Sequence, residues 1–250
     1  MFYDNFTPDQ VCGLFSAWHF VAIGVFFISA FLAIYFSKKL NEQQAKKIIL
    51  IIAIISTVLE VIKIAIRIYK KSSLDSWIPL YLCSLFIFAI WFFLSKNSFL
   101  KNMGGSFMVF GGISSAFCFI IYPSTSLMIQ PIWHPGTLHS LIYHWMMLYS
   151  GFIIILKKLY IPHWKHFFLY LAFVCSACLL AVIINHFCLT NMMFMSNPFG
   201  LPILSDIAKN YKWLYMFLVF VAQSVLLFWA SWGLYSLILH FKTKKGENHV

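Results

Sequence analysis

Residues 48–69 read IILIIAIISTVLEVIKIAIRIY, an apolar run broken by Glu60, Lys63 and Arg67. A transmembrane helix needs about 20 predominantly apolar residues, so the run is long enough to cross a bilayer. The three charged residues are spaced i, i+3, i+7, which places them on one helical face. Ionisable side chains are costly at membrane depth and normally face a protein interior. Two readings follow. They form an internal ion pair with a snorkelling arginine, or Glu60 orients a histidine in a site.

The rest of the chain repeats this pattern. Of 250 residues, 62% are hydrophobic, 20% aromatic and only 10% charged. A soluble domain of that length needs a more polar surface. The expected class is all-α: a polytopic helical bundle forming one transmembrane domain over residues 1–250. Seven windows have the length and apolarity of a span, at 11–36, 48–69, 77–95, 102–122, 137–157, 167–188 and 213–240. The third begins at Trp77-Ile78-Pro79, and proline is tolerated in a first helical turn. Residues 1–10 hold two aspartates and no Lys or Arg, so the first run is expected to be a retained span rather than a signal peptide.

Loop charge sets the expected orientation. One side receives Lys38, Lys39, Lys46, Lys47, Lys96, Lys101, Lys157, Lys158, Lys165, Lys242, Lys244 and Lys245. The other receives Arg67, Lys70, Lys71, Lys209 and Lys212. The richer side is expected to be cytoplasmic, with the N-terminus outside and the C-terminus inside. The formal net charge of +11 is spread among short loops, which makes it a topology signal and excludes a nucleic-acid-binding reading. The loop 189–212 is apolar and punctuated by Pro and Gly. It is either a cover over a site or a surface loop resting on headgroups.

Direction along each span converts sequence position into depth, at about 1.5 Å per residue. Glu60 and Lys63 in the second window, Cys83 in the third, His139 and His144 in the fifth and Asn185-His186 at the end of the sixth all fall in the outer half. Cys83 follows Ile78-Pro79-Leu80-Tyr81-Leu82 just inside a helix start, where the macrodipole favours a thiolate. A thiol beside an imidazole is a recurring activated nucleophile. His139 and His144 are five residues apart, about 140° around a helix, so they do not share one face squarely. That spacing weakens a local metal site, although His139, His144 and His186 with Glu60 could bind Zn²⁺ across helices. Cys175-Ser-Ala-Cys178 has CxxC spacing without a partner motif and reads as packing. The favoured reading requires neither metal nor cofactor.

Several segments carry a family likeness. They are Ile78-Pro79-Leu80-Tyr81-Leu82-Cys83-Ser84, Trp133-His134, Leu138-His139-Ser140 with His144, Asn185-His186 and Asn191-Met192-Met193-Phe194-Met195. Together they resemble the bacterial YwaF-like integral membrane proteins. That family is related to a eukaryotic transmembrane acyltransferase acting on ether phospholipids through a membrane cysteine. It is distantly similar to the androgen-induced lipid hydrolases, which use a Thr and a His on different helices. The resemblance implies that Cys83 is the nucleophile and His139 the base. His144, Glu60, Asn185, His186 and Asn191 would support them. Cys83 stands where the hydrolases have Thr, so the chain follows the acyltransferase branch.

The leading expectation is therefore an enzyme of the cell membrane, a lipid acyltransferase or acyl-ester hydrolase with membrane lipids as substrate. The alternative is a transporter or binding protein whose polar cluster lines a ligand cavity. A structural subunit is the third reading.

Overall fold

The computed structural model describes residues 6–7, 9–123, 126–198 and 202–247, and among these there is no β-strand. Six helices are long and apolar enough to cross a membrane, which makes this a multi-pass integral membrane protein. They are α1 (Ala17–Ser37), α2 (Glu42–Tyr69), α4 (Ser98–Ile121), α5 (Pro135–Leu156), α6 (Phe167–Cys188) and α8 (Lys212–Phe241). Two shorter helices complete the bundle, α3 (Phe86–Leu94) and α7 (Pro202–Asn210).

Six of the seven expected windows become full-length spans. The window 77–95 does not: its apolar helix runs only over Cys83–Leu94, less than the roughly 20 residues a crossing requires. Pro79 contributes no N–H and disfavours helical backbone at Ile78. The chain therefore stays irregular until a single 3₁₀ turn, Cys83–Leu85, leads into α3. The first window also begins late. Gly13 and Phe15 adopt left-handed φ of 76° and 55°, and Ser16 caps α1 by accepting from the His19 N–H.

Helices α4 and α5 form the centre. In α4, 72% of the apolar window is buried, against 22% in α1 and in α8. Helix α4 touches α3, α5, α6 and α8, while α5 touches α1, α2 and α4. Glycine makes the close approaches possible. A Cβ on Gly104 would collide with Ala89 O and Phe93 N of α3, and one on Gly151 of α5 would lie 2.8 Å from Met108 O of α4.

Two helices contain a π turn, α4 at Phe107–Gly112 and α8 at Ala222–Leu226. A π turn disturbs the regular backbone ladder, and side chains compensate. Tyr170 of α6 donates its hydroxyl to Gln223 O at 2.6 Å, and Ser231 donates to Phe110 O at 3.2 Å. Phe110, in the α4 turn, meets Phe228, two residues past the α8 turn, with ring centroids 4.3 Å apart.

Long-range hydrogen bonds fix the bundle at both ends. At the end where α1 begins, His19 Nε2 pairs with Ile120 O at 2.9 Å, while His19 Nδ1 accepts from the Phe15 N–H. Both ring nitrogens are satisfied, so this fully buried histidine is structural. At the opposite end, Lys157 Nζ donates to Lys38 O and Leu40 O at 2.8 and 2.6 Å.

Candidate functional site

At the end where α1 begins, the helices part around a cavity of about 600 Å³. The second half of α2 forms one wall with Glu60, Lys63 and Arg67. Their shared face follows from the i, i+3, i+7 spacing. Lys63 Nζ lies 2.6 Å from Glu60 Oε1, with the Glu60 side chain 3% exposed and that of Lys63 18%. The pair neutralises itself, which makes a buried carboxylate tolerable.

Cys83 enters from the second wall. It lies in the 3₁₀ turn ahead of α3, where backbone N–H groups lack helical partners and favour negative charge. The thiol is partly buried. Its electrostatic neighbours are Lys63, Glu60 and Ser84. Tyr81 and Leu82, in the irregular stretch after Pro79, line the cavity beside it.

Helices α4 and α5 supply the floor: Ser115, Cys118 and Phe119 from α4, and His139, Ser140, Tyr143 and His144 from α5. His134 begins α5 as an N-cap, accepting from the Gly136 N–H, and Pro135 occupies the first turn. His139 and Tyr143, one turn apart, stack at 5.9 Å with planes 14° apart. The His139 ring lies beside the Leu59 carbonyl of α2. Its Nε2 is buried and makes no hydrogen bond, so it is not in hydrogen-bond contact with the Cys83 thiol. His144 Nδ1 pairs with Ser140 O at 2.7 Å. Its ring lies flat on Phe119, centroids 3.7 Å apart.

The last wall is a folded loop. Met192–Phe194 form a short turn in which Met193 and Phe194 adopt left-handed φ of 53° and 55°. Non-glycine residues hold that conformation at some cost, so other contacts must fix it. Asn185 does so from α6, donating to Met192 O at 3.0 Å and accepting from the Met192 N–H at 2.7 Å. From α8, Gln223 donates to Met193 O at 2.9 Å and Tyr215 to Phe194 O at 2.6 Å. Asn191 holds the next stretch by accepting from the Ser196 and Asn197 N–H groups. The loop thus presents Phe194 to the cavity, its ring tilted against that of Tyr81 with centroids 4.7 Å apart. Leu204 of α7 lines the same space. Phe194 and Leu204 give the segment the contacts expected of a cover, one of the two readings the sequence allows.

Of the residues singled out from sequence, Cys83, His139, His144, Glu60 and Lys63 line this one cavity. His186 does not: it sits exposed near the end of α6. Asn185 and Asn191 do not line it either, and their amides are committed to the loop backbone. His144 also has a ring nitrogen committed, to its own helix.

The sequence reading does not single out Tyr143, Ser115 or Gln223. Each carries a buried oxygen without a hydrogen bond: Tyr143 Oη, Ser115 Oγ and Gln223 Oε1. All three line the cavity. Two were visible in principle. Tyr143 is one turn from His139, and Gln223 is an amide inside an apolar run. Among the described residues, no group of three or more His, Cys, Asp or Glu side chains is placed to hold a metal ion.

Comparison with known proteins adds one match. The model of the TMEM164 family aligns with residues 14–230, which includes every wall of the cavity. No curated protein and no solved structure matches the chain.

Proposed function

The chain belongs to the TMEM164 family, and on that premise we propose that it is a lipid acyltransferase or acyl-ester hydrolase using Cys83 and His139. The observation that carries this reading is the shared cavity: a thiol at a helix start and an imidazole with an unpaired nitrogen line the same space. With the ring proton carried on Nδ1, the unpartnered Nε2 is free to act as a base. Catalytic hydrogen bonds are often open in an unliganded site and tighten with substrate, so the missing Cys83–His139 contact is compatible with catalysis.

In this mechanism Cys83 Sγ attacks the carbonyl carbon of a lipid ester while Nε2 takes the thiol proton. The carbon–oxygen bond to the leaving alcohol breaks, and that oxygen receives the proton from Nε2. A thioester remains on Cys83. An acceptor hydroxyl or water then attacks it, giving its proton to Nε2, from which it returns to the sulfur. The cavity surface is mainly apolar, with hydroxyl, imidazole and charged groups converging on it, as at many ligand sites. Membrane lipids are the proposed substrates, consistent with the YwaF-like resemblance and a place in lipid metabolism.

The same reading proposes a seventh crossing. Cys83–Leu94, with the irregular stretch before it, would pass through the bundle shielded by neighbouring helices, where broken backbone is tolerated. Seven crossings leave the N-terminus outside and the lysine-rich loops in the cytoplasm, with the cavity in the outer half of the cell membrane.

The test uses purified protein and labelled phospholipid. Cys83→Ala and His139→Ala should each lower transfer or hydrolysis by about 10²-fold or more. Full activity in both would exclude the assignment. Flux of a ligand into vesicles, without acylation of Cys83, would favour a transport cavity instead.

A further inference from the structure

The acyl chemistry proposed above leaves one requirement unfilled. When sulfur adds to the carbonyl, negative charge develops on the carbonyl oxygen, and a preorganised donor stabilises it. His144 and Asn185 are among the supporting residues that the family resemblance implies. Asn185 is engaged with the loop backbone, and His144 Nδ1 with Ser140 O.

Tyr143 has the missing properties. Its side chain is buried, with 4% of the residue exposed, and it lines the cavity. A buried hydroxyl normally finds a partner, yet Tyr143 Oη makes no hydrogen bond. The ring is held from both sides, stacked on His139 and edge-on to Phe86 at 5.7 Å. Phe86 is the first residue of α3, three positions after Cys83. The Tyr143 oxygen lies beside the Ile87 backbone in the same first turn, and Cys83 is within electrostatic range. A donor without a partner, its ring fixed against His139, thus lines the same cavity as the two residues assigned to the chemistry.

We propose that Tyr143 is a third catalytic residue, donating its hydroxyl proton in a hydrogen bond to the carbonyl oxygen of an acyl ester bound at Cys83. This inference rests on the Cys83 reading. As the Cys83 S–C bond forms, the carbonyl π pair moves onto oxygen and is held by the Tyr143 O–H. When the carbon–oxygen bond to the leaving group breaks, the pair returns to re-form the carbonyl. Tyr143 keeps its proton throughout.

The experiment compares two reactions of Cys83 in detergent-purified full-length protein. Acylation by p-nitrophenyl decanoate passes through an oxyanion, and nitrophenolate release reports it. Alkylation by iodoacetamide is a displacement at carbon with no oxyanion, and mass spectrometry reports it. Tyr143→Phe keeps the ring and removes only the hydroxyl. The expected result is acylation slowed roughly 100-fold, the scale of losing one oxyanion donor, with alkylation unchanged. Unchanged acylation in Tyr143→Phe overturns the inference. An equal slowing of both reactions also overturns it, because Tyr143 would then act on thiol access. If the wild-type protein acquires no acyl group that Cys83→Ala removes, the Cys83 reading fails first and takes this inference with it.

Discussion

Helices α4 and α5 run side by side through the whole bundle, yet their two halves do different work. In the half around Gly104, Gly111, Gly112 and Gly151, backbone and rings approach so closely that an added methyl has little or no room. In the half around Ser115, Phe119, His139 and Tyr143, the same helices border a cavity. The first half uses glycines and aromatic rings, with few polar atoms and none that needs a ligand. The second keeps buried polar oxygens and an imidazole nitrogen without partners, an arrangement that folding alone disfavours. Tight packing at one end can hold such a site open at the other.

Changes to each half should therefore fail in different ways. The largest effect is expected from Gly104→Leu, which forces a side chain into the backbone of α3. Overpacking costs about 1–3 kcal/mol or more, the upper end where backbone is struck, and the folded peak in detergent gel filtration should disappear. An unshifted peak would show that α3 and α4 can separate. Next, Cys83→Ala or His139→Ala should lower acyl turnover by about 10²-fold or more while the thermal midpoint barely moves. Parallel loss of stability would erase the division between the halves.

Glu60→Gln comes third. It leaves the Lys63 ammonium, whose side chain is 18% exposed, without its partner, at a cost of roughly 1–3 kcal/mol after allowing for that exposure. Adding Lys63→Met should recover most of the loss; if it does not, Glu60 serves something other than the pair. Asn185→Ala should cost ~1–2 kcal/mol by unpairing the Met192 backbone. Faster hydrogen exchange at Thr190–Met195, with the rest of α6 unchanged, is the readout. Last, His186→Ala should stay within about 0.5 kcal/mol and leave turnover intact. A clear loss of activity there would extend the site beyond the cavity.

How much of this could be read from sequence divides along a physical line. Spans are legible because apolar length is a one-dimensional property, and six windows coincide with helices long enough to cross. In the third window the helix is shorter, Cys83–Leu94; Pro79 disfavours helical backbone at Ile78, a local effect that hydropathy does not register. Glu60, Lys63, Cys83, His139 and His144 were legible because charge and nucleophiles are conspicuous among apolar residues. Tyr143 carried only the weaker signal of lying one turn from His139, since tyrosine is common in apolar helices and its unpaired hydroxyl shows only in the structure. Asn185 and Asn191 looked like site residues because a polar side chain that ties down a loop and one that meets a ligand look identical in sequence. The π turns leave no periodic trace at all.

The π turn at Ala222–Leu226 governs the phase of everything after it in α8. An α-helix advances about 100° per residue, so the additional residue rotates the rest of α8 by roughly that angle. Ala222 and Gln223 face the cavity. Beyond the turn, Phe228 meets Phe110 and Ser231 meets Ser114. Two surfaces that one straight helix would set at the wrong angle are reconciled by a residue count. Removing or inserting one residue in this stretch would preserve either the contact with the cover or the seam with α4, and forfeit the other. Chain length at this point is a stricter physical requirement than the identity of most side chains along it.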